Sequence, residues 1–132
     1  GQPCRALVEF VDMYPTLCEL CGLDLPEHLE GASFASLLDD PDRPWKSAAF
    51  HLFPRPGSIM GYAMKTNRYR YVEWRVEKSG ELRVRELYDH RADPAENVNV
   101  AEHEGYAGVV DELAEQLAAS WRGALPEAES NA

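Results

Sequence analysis

The segment from residue 48 to residue 88 limits the possible folds of this chain more than any other part of the sequence. Turn-forming residues divide it into four runs that have the residue types of β-strands, namely 48–53, 60–66, 69–76 and 82–88. In the third run Tyr71 and Val72 fall on opposite faces, because successive side chains of a strand alternate in direction. Four consecutive strands joined by short turns predict an antiparallel sheet.

A helix over residues 106–122 is predicted to cover one face of this sheet. Its apolar residues recur at helical spacing and comprise Val109, Val110, Leu113, Leu117 and Trp121. Gly123 and Pro126 follow as residues that end a helix. The sequence therefore predicts an α+β fold in which a four-stranded antiparallel sheet packs against a C-terminal helix. We expect four large aromatic residues to fill the space between sheet and helix: Tyr62, Tyr69, Tyr71 and Trp74.

The segment before the predicted sheet has a different pattern. The apolar run 6–11 is typical of the end of a strand, and it leads into a predicted helix over 12–21. Asp12 is placed to cap that helix through its carboxylate. Cys18 and Cys21 lie at helical spacing, which favours two small buried residues.

Charge is distributed unevenly along the chain. The net charge is −10, which argues against a general nucleic-acid-binding surface, since such surfaces are basic. Residues 43–91 nevertheless contain 11 Lys and Arg against 5 Asp and Glu, a balance of +6. Two interpretations fit this basic segment: arginine and lysine protect exposed strand edges, or they face an anionic ligand. No apolar run reaches the roughly 20 residues that a membrane-spanning helix needs, so no membrane partner is predicted.

No catalytic or metal-binding constellation is predicted within this chain. The three cysteines give no disulfide framework, and the C-x-x-C at 18–21 lacks the second Cys or His pair that a zinc site needs. The four histidines are scattered, without the serine motif of a hydrolase triad. What remains is a basic-aromatic patch suited to an anion or a sugar ring, comprising His51, Phe53, Arg55, Tyr62, Lys65, Arg68 and Arg70.

Three stretches, in this order, resemble the C-terminal portion of the sulfatase family, most closely its iduronate-2-sulfatase-like members. "VEFVDMYPTLCELCGLDLP" is similar to the family's passage V-x-x-V-D-[LM]-[YF]-P-T-L-x-x-L-x-G. "FPRPGSIMGYAMKTNRYRYVEW" is similar to the run of iduronate-type members that contains Y-P-R-P, I-M-G-Y and Y-R-Y. "ELYDHRADPAENVNVA" resembles the closing motif E-L-Y-D-x-x-x-D-P-x-E-x-x-N. The resemblance covers residues 7–121.

This resemblance implies both a fold and a division into domains. The family has an alkaline-phosphatase-like α/β domain, followed by a small domain of four antiparallel strands and a C-terminal helix. Residues 1–42 would then be the last strand and helix of the large domain, residues 43–126 the small domain, and residues 127–132 a flexible tail. The implied partner of this chain is the remainder of the sulfatase catalytic domain.

The resemblance also implies a chemistry that this chain does not itself supply. The family nucleophile is a formylglycine made from the motif C-x-[PA]-S-R, and its hydrate attacks sulfur while calcium polarises the sulfate. Cys4, in "PCRAL", lacks the proline and the serine of that motif, and the family's calcium-binding acids belong to other segments. We therefore predict no catalytic residue, no metal ligand and no cofactor in this chain, and we expect calcium and formylglycine in the parent enzyme.

The expected contribution of this chain is to stabilise the parent enzyme and to shape its substrate pocket. The resemblance implies that Arg55, Ser58 and Met60 shape the pocket for the sugar unit next to the sulfate ester, with His51 and Lys65 nearby. The implied substrate is a sulfated sugar or glycosaminoglycan. Two alternatives stay open: a stand-alone carbohydrate- or protein-binding module with the same fold, and a subunit that stays attached to a larger chain after processing.

Overall fold

The computed structural model describes residues 1–126, so the tail predicted at 127–132 lies outside the described residues. The chain divides into two compact units, Gly1–Ser47 and Ala48–Ala124, and Leu125 and Pro126 belong to the first of them. In the part of the chain that the structure describes, no helix has the length and apolar character needed to span a bilayer.

The second unit contains the predicted four-stranded antiparallel sheet. Its strands, in spatial order, are β1 (Ala49–Arg55), β2 (Ile59–Lys65), β3 (Tyr69–Val76) and β4 (Leu82–Asp89). Gly61 of β2 lies opposite Trp74 of β3, and Val72 of β3 lies opposite Glu86 of β4. Because paired residues share a face of the sheet, this register separates a face covered by the C-terminal helix from an open face.

Strand β1 lies at one edge of the sheet and runs two residues further than predicted, through Pro54 and Arg55. The sequence prediction ended this strand at Phe53, because proline cannot donate to a central ladder. At an edge strand, an N–H that points away from the neighbouring strand forms no ladder bond, so proline is tolerated there.

The covered face carries the core of the second unit. Met64, Tyr71 and Leu87 are fully buried in this core. Val110 and Leu113, from helix α2 (Ala107–Ala118), belong to the same cluster. The apolar stripe predicted for the C-terminal helix therefore does cover the sheet.

The aromatic residues predicted between sheet and helix divide between the two faces. Tyr69 and Tyr71 contribute to the core, and Tyr62 shares a cavity with Leu117 of α2. The placement of Trp74 was wrong. Strand alternation puts its side chain on the open face, together with Val72.

Helix α2 is shorter than the predicted helix over 106–122. It follows a 3₁₀ turn at Glu104–Tyr106 and ends at Ala118. Ser120 has a φ of 64°, which lies outside the right-handed helical region and stops the helix. Trp121 consequently belongs to a separate 3₁₀ turn, Trp121–Ala124, and is only partly buried.

The first unit contains a 3₁₀ turn at Phe10–Asp12, helix α1 (Met13–Leu20) and a second 3₁₀ turn at Ala35–Leu38. Within the described residues of this unit, no strand forms over 6–11, contrary to the prediction. A strand needs a neighbour that satisfies its N–H and C=O groups. The part of this unit that the structure describes supplies no such neighbour.

Asp12 joins three segments of the first unit instead of capping α1. Its fully buried carboxylate accepts hydrogen bonds from the backbone N–H of Glu9 at 2.8 Å and of Ala32 at 2.9 Å. The ammonium group of Lys46, which is also buried, lies 2.6 Å from Asp12 Oδ1 and 2.9 Å from Glu9 Oε2. A buried charge needs such partners, so this cluster fixes the loops around α1.

The two cysteines of the C-x-x-C sequence have different environments. Cys18 is buried, as predicted, whereas Cys21 is exposed. Cys21 follows the last residue of α1 and lies at its C-cap, where the chain leaves the helix surface that buries Cys18. The prediction of two buried cysteines was therefore right for one.

Candidate ligand-binding groove

A small groove lies on the open face of the sheet in the second unit. Its volume is about 250 Å³. Its floor consists of Gly61, Ala63 and Val72, which are small or apolar. Its walls carry aromatic and charged side chains, namely His51, Phe53, Arg55, Arg70, Trp74 and Glu86. This combination of an apolar floor and charged walls is typical of a ligand-binding surface.

Trp74 forms one wall of the groove and is held in a single orientation. A Cβ atom added at Gly61 would lie 2.6 Å from the indole ring, so the ring rests directly on the backbone of β2. The indole Nε1–H donates a hydrogen bond of 2.8 Å to Glu86 Oε1 on β4. Tyr88 donates its hydroxyl to the other carboxylate oxygen of Glu86 at 3.3 Å. Both the plane and the edge of Trp74 are therefore fixed.

Arg55 covers the outer face of this indole. Its guanidinium carbon lies 3.6 Å from the centroid of the Trp74 ring, which is a close cation–π contact. The side chain is exposed, and no carboxylate within the described residues pairs with it. A guanidinium that stacks on a ring keeps its N–H edge directed away from the ring, and that edge can bind an oxyanion.

Arg70 and His51 complete the basic character of the groove. Arg70 forms an ion pair with Glu96 through its terminal nitrogen, and its guanidinium carbon lies 5.0 Å from the Tyr88 ring centroid. Its Nε is buried and has no hydrogen-bond acceptor among the described residues. His51 stacks against Phe53 with a centroid distance of 6.3 Å. The groove thus has basic walls and a partly aromatic rim.

Lys65 belongs to a separate polar cluster on the same sheet. Its Nζ lies 2.8 Å from His90 Nδ1, and His90 Nε2 lies 2.6 Å from Glu96 Oε1. Partial burial lowers the pKa of Lys65, an effect that Glu96 opposes and that Arg70 reinforces. Lys65 does not line the groove.

The five residues predicted to shape a substrate pocket occupy four places. His51 and Arg55 line the groove together. Lys65 points from the same face but takes part in the cluster with His90. Met60 falls on the covered face, while Ser58 lies in the β1–β2 turn with a φ of 56° and accepts a hydrogen bond from Glu77 through its carbonyl oxygen. The structure therefore brings two of the five together.

Among the aromatic and charged residues of the groove, the sequence prediction missed Trp74 and Glu86. The sequence did contain a usable signal, because Gly61 and Trp74 occupy paired positions on adjacent strands. A large aromatic side chain often covers a glycine on the neighbouring strand. Glu86 carries no comparable signal, since its role depends on how the indole is turned.

A second cavity, of about 360 Å³, lies on the covered face. It is lined by Tyr62, Glu73, Arg75, Arg85, Ala114, Leu117 and Ala118. The buried carboxylate of Glu73 accepts hydrogen bonds from the Tyr71 hydroxyl at 2.8 Å and from Arg75 Nε at 2.7 Å. Burial and the Glu73 hydrogen bond together raise the pKa of Tyr71. The partners of Glu73 come from the chain itself. The polar residues of this cavity therefore form an ion-pair cluster with a structural role, and we do not assign a ligand to it.

The described residues do not form a metal site. Within residues 1–126, no group of three or more His, Cys, Asp or Glu side chains is arranged to hold a cation. Calcium requires several converging oxygen ligands. The described residues of this chain therefore do not fit the calcium site expected for the parent enzyme.

Comparison with known proteins agrees with this architecture. The family model described as N-sulphoglucosamine sulphohydrolase, C-terminal, matches residues 1–122. Human arylsulfatase K is 30% identical over 105 residues, which cover 72% of this chain and 19% of that protein. The Δ4,5-hexuronate-2-O-sulfatase of Bacteroides thetaiotaomicron is 30% identical over 106 residues, covering 77% of this chain and 21% of the enzyme.

A solved structure supports the same fold. The crystal structure of the phosphonate monoester hydrolase of Agrobacterium radiobacter superposes with a TM-score of 0.65 at 29% identity, covering 82% of this chain and 23% of that one. The chain spans about a fifth of the length of the curated relatives that it matches.

Proposed function

This chain belongs to the sulfatase family and corresponds to its C-terminal domain, and from this membership we propose that it forms part of a sulfuric-ester hydrolase that acts on a sulfated sugar. The observation that carries the proposal is the family match over residues 1–122. The basic groove on the open face is consistent with it, since a sulfated sugar is an anion with apolar ring surfaces. The two relatives compared by sequence are both named as sulfatases, and one of them is named for a sulfated hexuronate.

The partner we propose is the catalytic portion of the same enzyme. Helix α1 is apolar on two sides. Pro15, Thr16 and Cys18 are buried within its own unit. On the other side it exposes Met13, Tyr14, Leu17 and Leu20, each between 48% and 57%. Phe10, just before the helix, is 91% exposed. Large apolar side chains exposed together on one side of a helix mark a protein contact, so this surface suits a protein neighbour.

We also propose the domain division expected from the resemblance. Residues 1–42 would complete the large catalytic domain, and residues 43–126 would form the small C-terminal domain. Calcium and formylglycine are proposed for other segments of the parent enzyme. The role of this chain is then to bind and orient the sugar and to exclude water from its surroundings.

Within this proposal the β1–β2 hairpin contributes to the substrate pocket. Arg55 and Ser58 lie at its tip and Met60 follows on β2. His51 and Lys65 lie further along the same two strands. Of this set, Arg55 has the clearest chemical role, because its guanidinium is exposed and stacked in a fixed position.

The proposed function is tested with the full-length polypeptide that contains this chain. We expect it to release inorganic sulfate from a disaccharide bearing a 2-O-sulfated Δ4,5-hexuronate. This hydrolysis should be faster than its cleavage of an aryl phosphonate monoester or an aryl phosphate monoester. Preferred cleavage of the phosphonate would assign the protein to the reaction of its structural relative instead. Absence of any ester hydrolysis, with the protein shown to be folded, would contradict the proposal.

A further inference from the structure

We infer that the open-face groove binds a sugar ring of the substrate, with Arg55 as the group that binds a sulfate other than the one that is hydrolysed and Trp74 as the residue that positions Arg55. This inference rests on the proposed function for the class of ligand, but its geometry is independent of that proposal. It assigns a role to Trp74, Gly61 and Glu86, which the sequence prediction did not connect with Arg55.

Stacking on Trp74 fixes the orientation of Arg55. Its guanidinium lies flat on Trp74 with 3.6 Å between the guanidinium carbon and the ring centroid. Stacking uses the face of the guanidinium and leaves its N–H donors in the plane available. Paired N–H donors match two oxygens of a sulfate or carboxylate. Because the side chain is already held in place, binding would cost less conformational entropy than it would for a free arginine.

Contacts with Gly61 and Glu86 hold Trp74 in place. The backbone at Gly61 lets the ring lie on the sheet, since any side chain there would meet ring carbons at 2.6–3.0 Å. Glu86 accepts the indole N–H at 2.8 Å and so fixes the rotation of the ring. The carboxylate of Glu86 is thereby directed toward the indole and Tyr88 rather than toward Arg55. The acid therefore orients the platform without neutralising the arginine.

The other residues of the groove also suit a sugar ring. The floor of Gly61, Ala63 and Val72 offers a flat apolar surface to the C–H face of a pyranose ring. Arg70 adds a guanidinium group to the wall of the groove. The walls hold two arginines against one glutamate. This charge favours a sulfated sugar over a neutral one.

The experiment compares variants in the full-length protein by two readouts. The first is kcat/KM on a disaccharide that carries a second sulfate on the sugar next to its 2-O-sulfated Δ4,5-hexuronate, and on a small aryl sulfate. The second is calorimetric binding of the product disaccharide, which keeps the second sulfate, of its fully desulfated counterpart and of sodium sulfate. The variants are Arg55→Ala, Arg55→Lys and Trp74→Phe, and the control is Lys78→Ala, which removes the same charge from an exposed loop.

For Arg55→Ala we expect kcat/KM on the disaccharide to fall about tenfold or more through a higher KM, with the aryl sulfate unaffected. Arg55→Lys should recover part of the loss, since it keeps the charge but not the planar donor pair. Trp74→Phe keeps an aromatic ring but loses the hydrogen bond to Glu86, so it should raise KM with kcat unchanged. Lys78→Ala should behave as the wild type does.

Several results would overturn the inference. Equal losses on both substrates would show that Arg55 acts on folding or on the reaction in general. Unchanged disaccharide kinetics alongside normal aryl sulfate hydrolysis would remove the groove from substrate binding and leave the proposed function standing. If the wild type hydrolyses no sulfate ester, the proposed function fails, and calorimetry then decides the inference alone. Binding of sodium sulfate as tight as that of the disaccharide would reduce the groove to a non-specific anion site.

Discussion

Asp89 is the residue on which most side-chain contacts at one end of the sheet converge. Its buried carboxylate accepts two hydrogen bonds from Arg68, at 2.9 and 2.6 Å. It also accepts the backbone N–H of Arg91 at 3.1 Å and the Tyr106 hydroxyl at 3.2 Å. These contacts connect the end of β4 to the β2–β3 turn and to the start of the C-terminal helical region. The "ELYD" sequence thus has a structural explanation in this domain.

The contacts of Asp89 predict a pH-dependent contribution to stability. The Arg68 hydrogen bonds hold the pKa of Asp89 well below its ordinary value, with help from Arg91 and Tyr106 and against the effect of burial. A depressed pKa contributes stability above the unfolded value of about 4, and that stability is lost as the pH falls through the native pKa. At pH 7, Asp89→Asn should lower the free energy of unfolding by about 2 kcal/mol, and the difference from wild type should shrink below pH 4.

Urea titrations at pH 7, 5 and 3 measure this difference. Asp111→Asn is the matched control, because Asp111 is an exposed aspartate on α2. A difference between wild type and Asp89→Asn that stays constant from pH 7 to pH 3 would show that the ionised carboxylate is not what stabilises this end of the sheet.

At this scale the sequence predicts candidate residues better than it predicts their partners. Arg55 and His51 were identified from residue type and from neighbouring aromatics, and both line the groove. Trp74 was assigned to the core because large aromatics usually pack there. The face on which Trp74 lies depends on which set of alternating β3 residues the helix covers. Glu86 contributes only because the indole is rotated toward it.

At the scale of elements, strand β4 is protected at its outer edge by a side chain. The backbone N–H of Leu87 donates to Asn99 Oδ1 at 2.9 Å, and Asn99 Nδ2 donates to the carbonyl oxygen of Arg85 at 3.1 Å. The N–H of Val100 donates to Leu87 O at 2.9 Å. The amide of Asn99 therefore imitates a neighbouring strand at an edge that would otherwise present unpaired groups.

We expect Asn99→Ala to destabilise the domain by about 1–3 kcal/mol, because it leaves the N–H of a fully buried residue, Leu87, without its acceptor. Hydrogen exchange at the Leu87 amide should accelerate more than at amides of β2. Asn97→Ala is the control, since the exposed Asn97 side chain bonds only to Asp93 among the contacts described. Equal protection of Leu87 in both variants would contradict the role of Asn99 at the strand edge.

The C-terminal helix gives a second prediction for an element. Leu113 is 4% exposed within the core cluster, whereas Trp121 lies beyond the end of α2 and is partly exposed. Leu113→Ala should cost about 2–5 kcal/mol, and Trp121→Ala should cost less, although it deletes more atoms. Thermal or urea unfolding of the two variants provides the measurement. A larger loss for Trp121→Ala would show that its indole is buried against the sheet as the sequence pattern suggested.

The elements that the sequence predicted well are those whose signals are local. The four strands follow from alternation and from short turns, and β3 was placed at its observed bounds, Tyr69–Val76. The predicted strand at 6–11 failed because a strand depends on a partner elsewhere. The end of α2 was missed because the apolar stripe continues through Trp121. Ser120 adopts a left-handed backbone conformation, which the presence of a serine does not predict.

At the scale of the whole molecule, the first unit leaves several large apolar side chains exposed. Phe10, Leu17 and Leu23 are exposed by 91%, 57% and 61%. Contiguous exposed apolar residues of this kind mark protein–protein contacts in soluble proteins. The same unit has a satisfied buried ion-pair cluster around Asp12, so its exposed side is not the result of a poorly formed interior.

The proposed catalytic neighbour leads to a prediction for Leu17 in the full-length protein. If α1 lies inside the larger structure, Leu17→Ala removes buried methyl groups and should lower the free energy of unfolding by about 2–5 kcal/mol. Val98→Ala is the control, because Val98 is exposed to a similar extent, 59%, in the other unit. Denaturant unfolding of the full-length variants measures both. A change within about 0.5 kcal/mol for Leu17→Ala, the range of surface substitutions, would show that this face of α1 stays exposed and that the catalytic portion does not cover it.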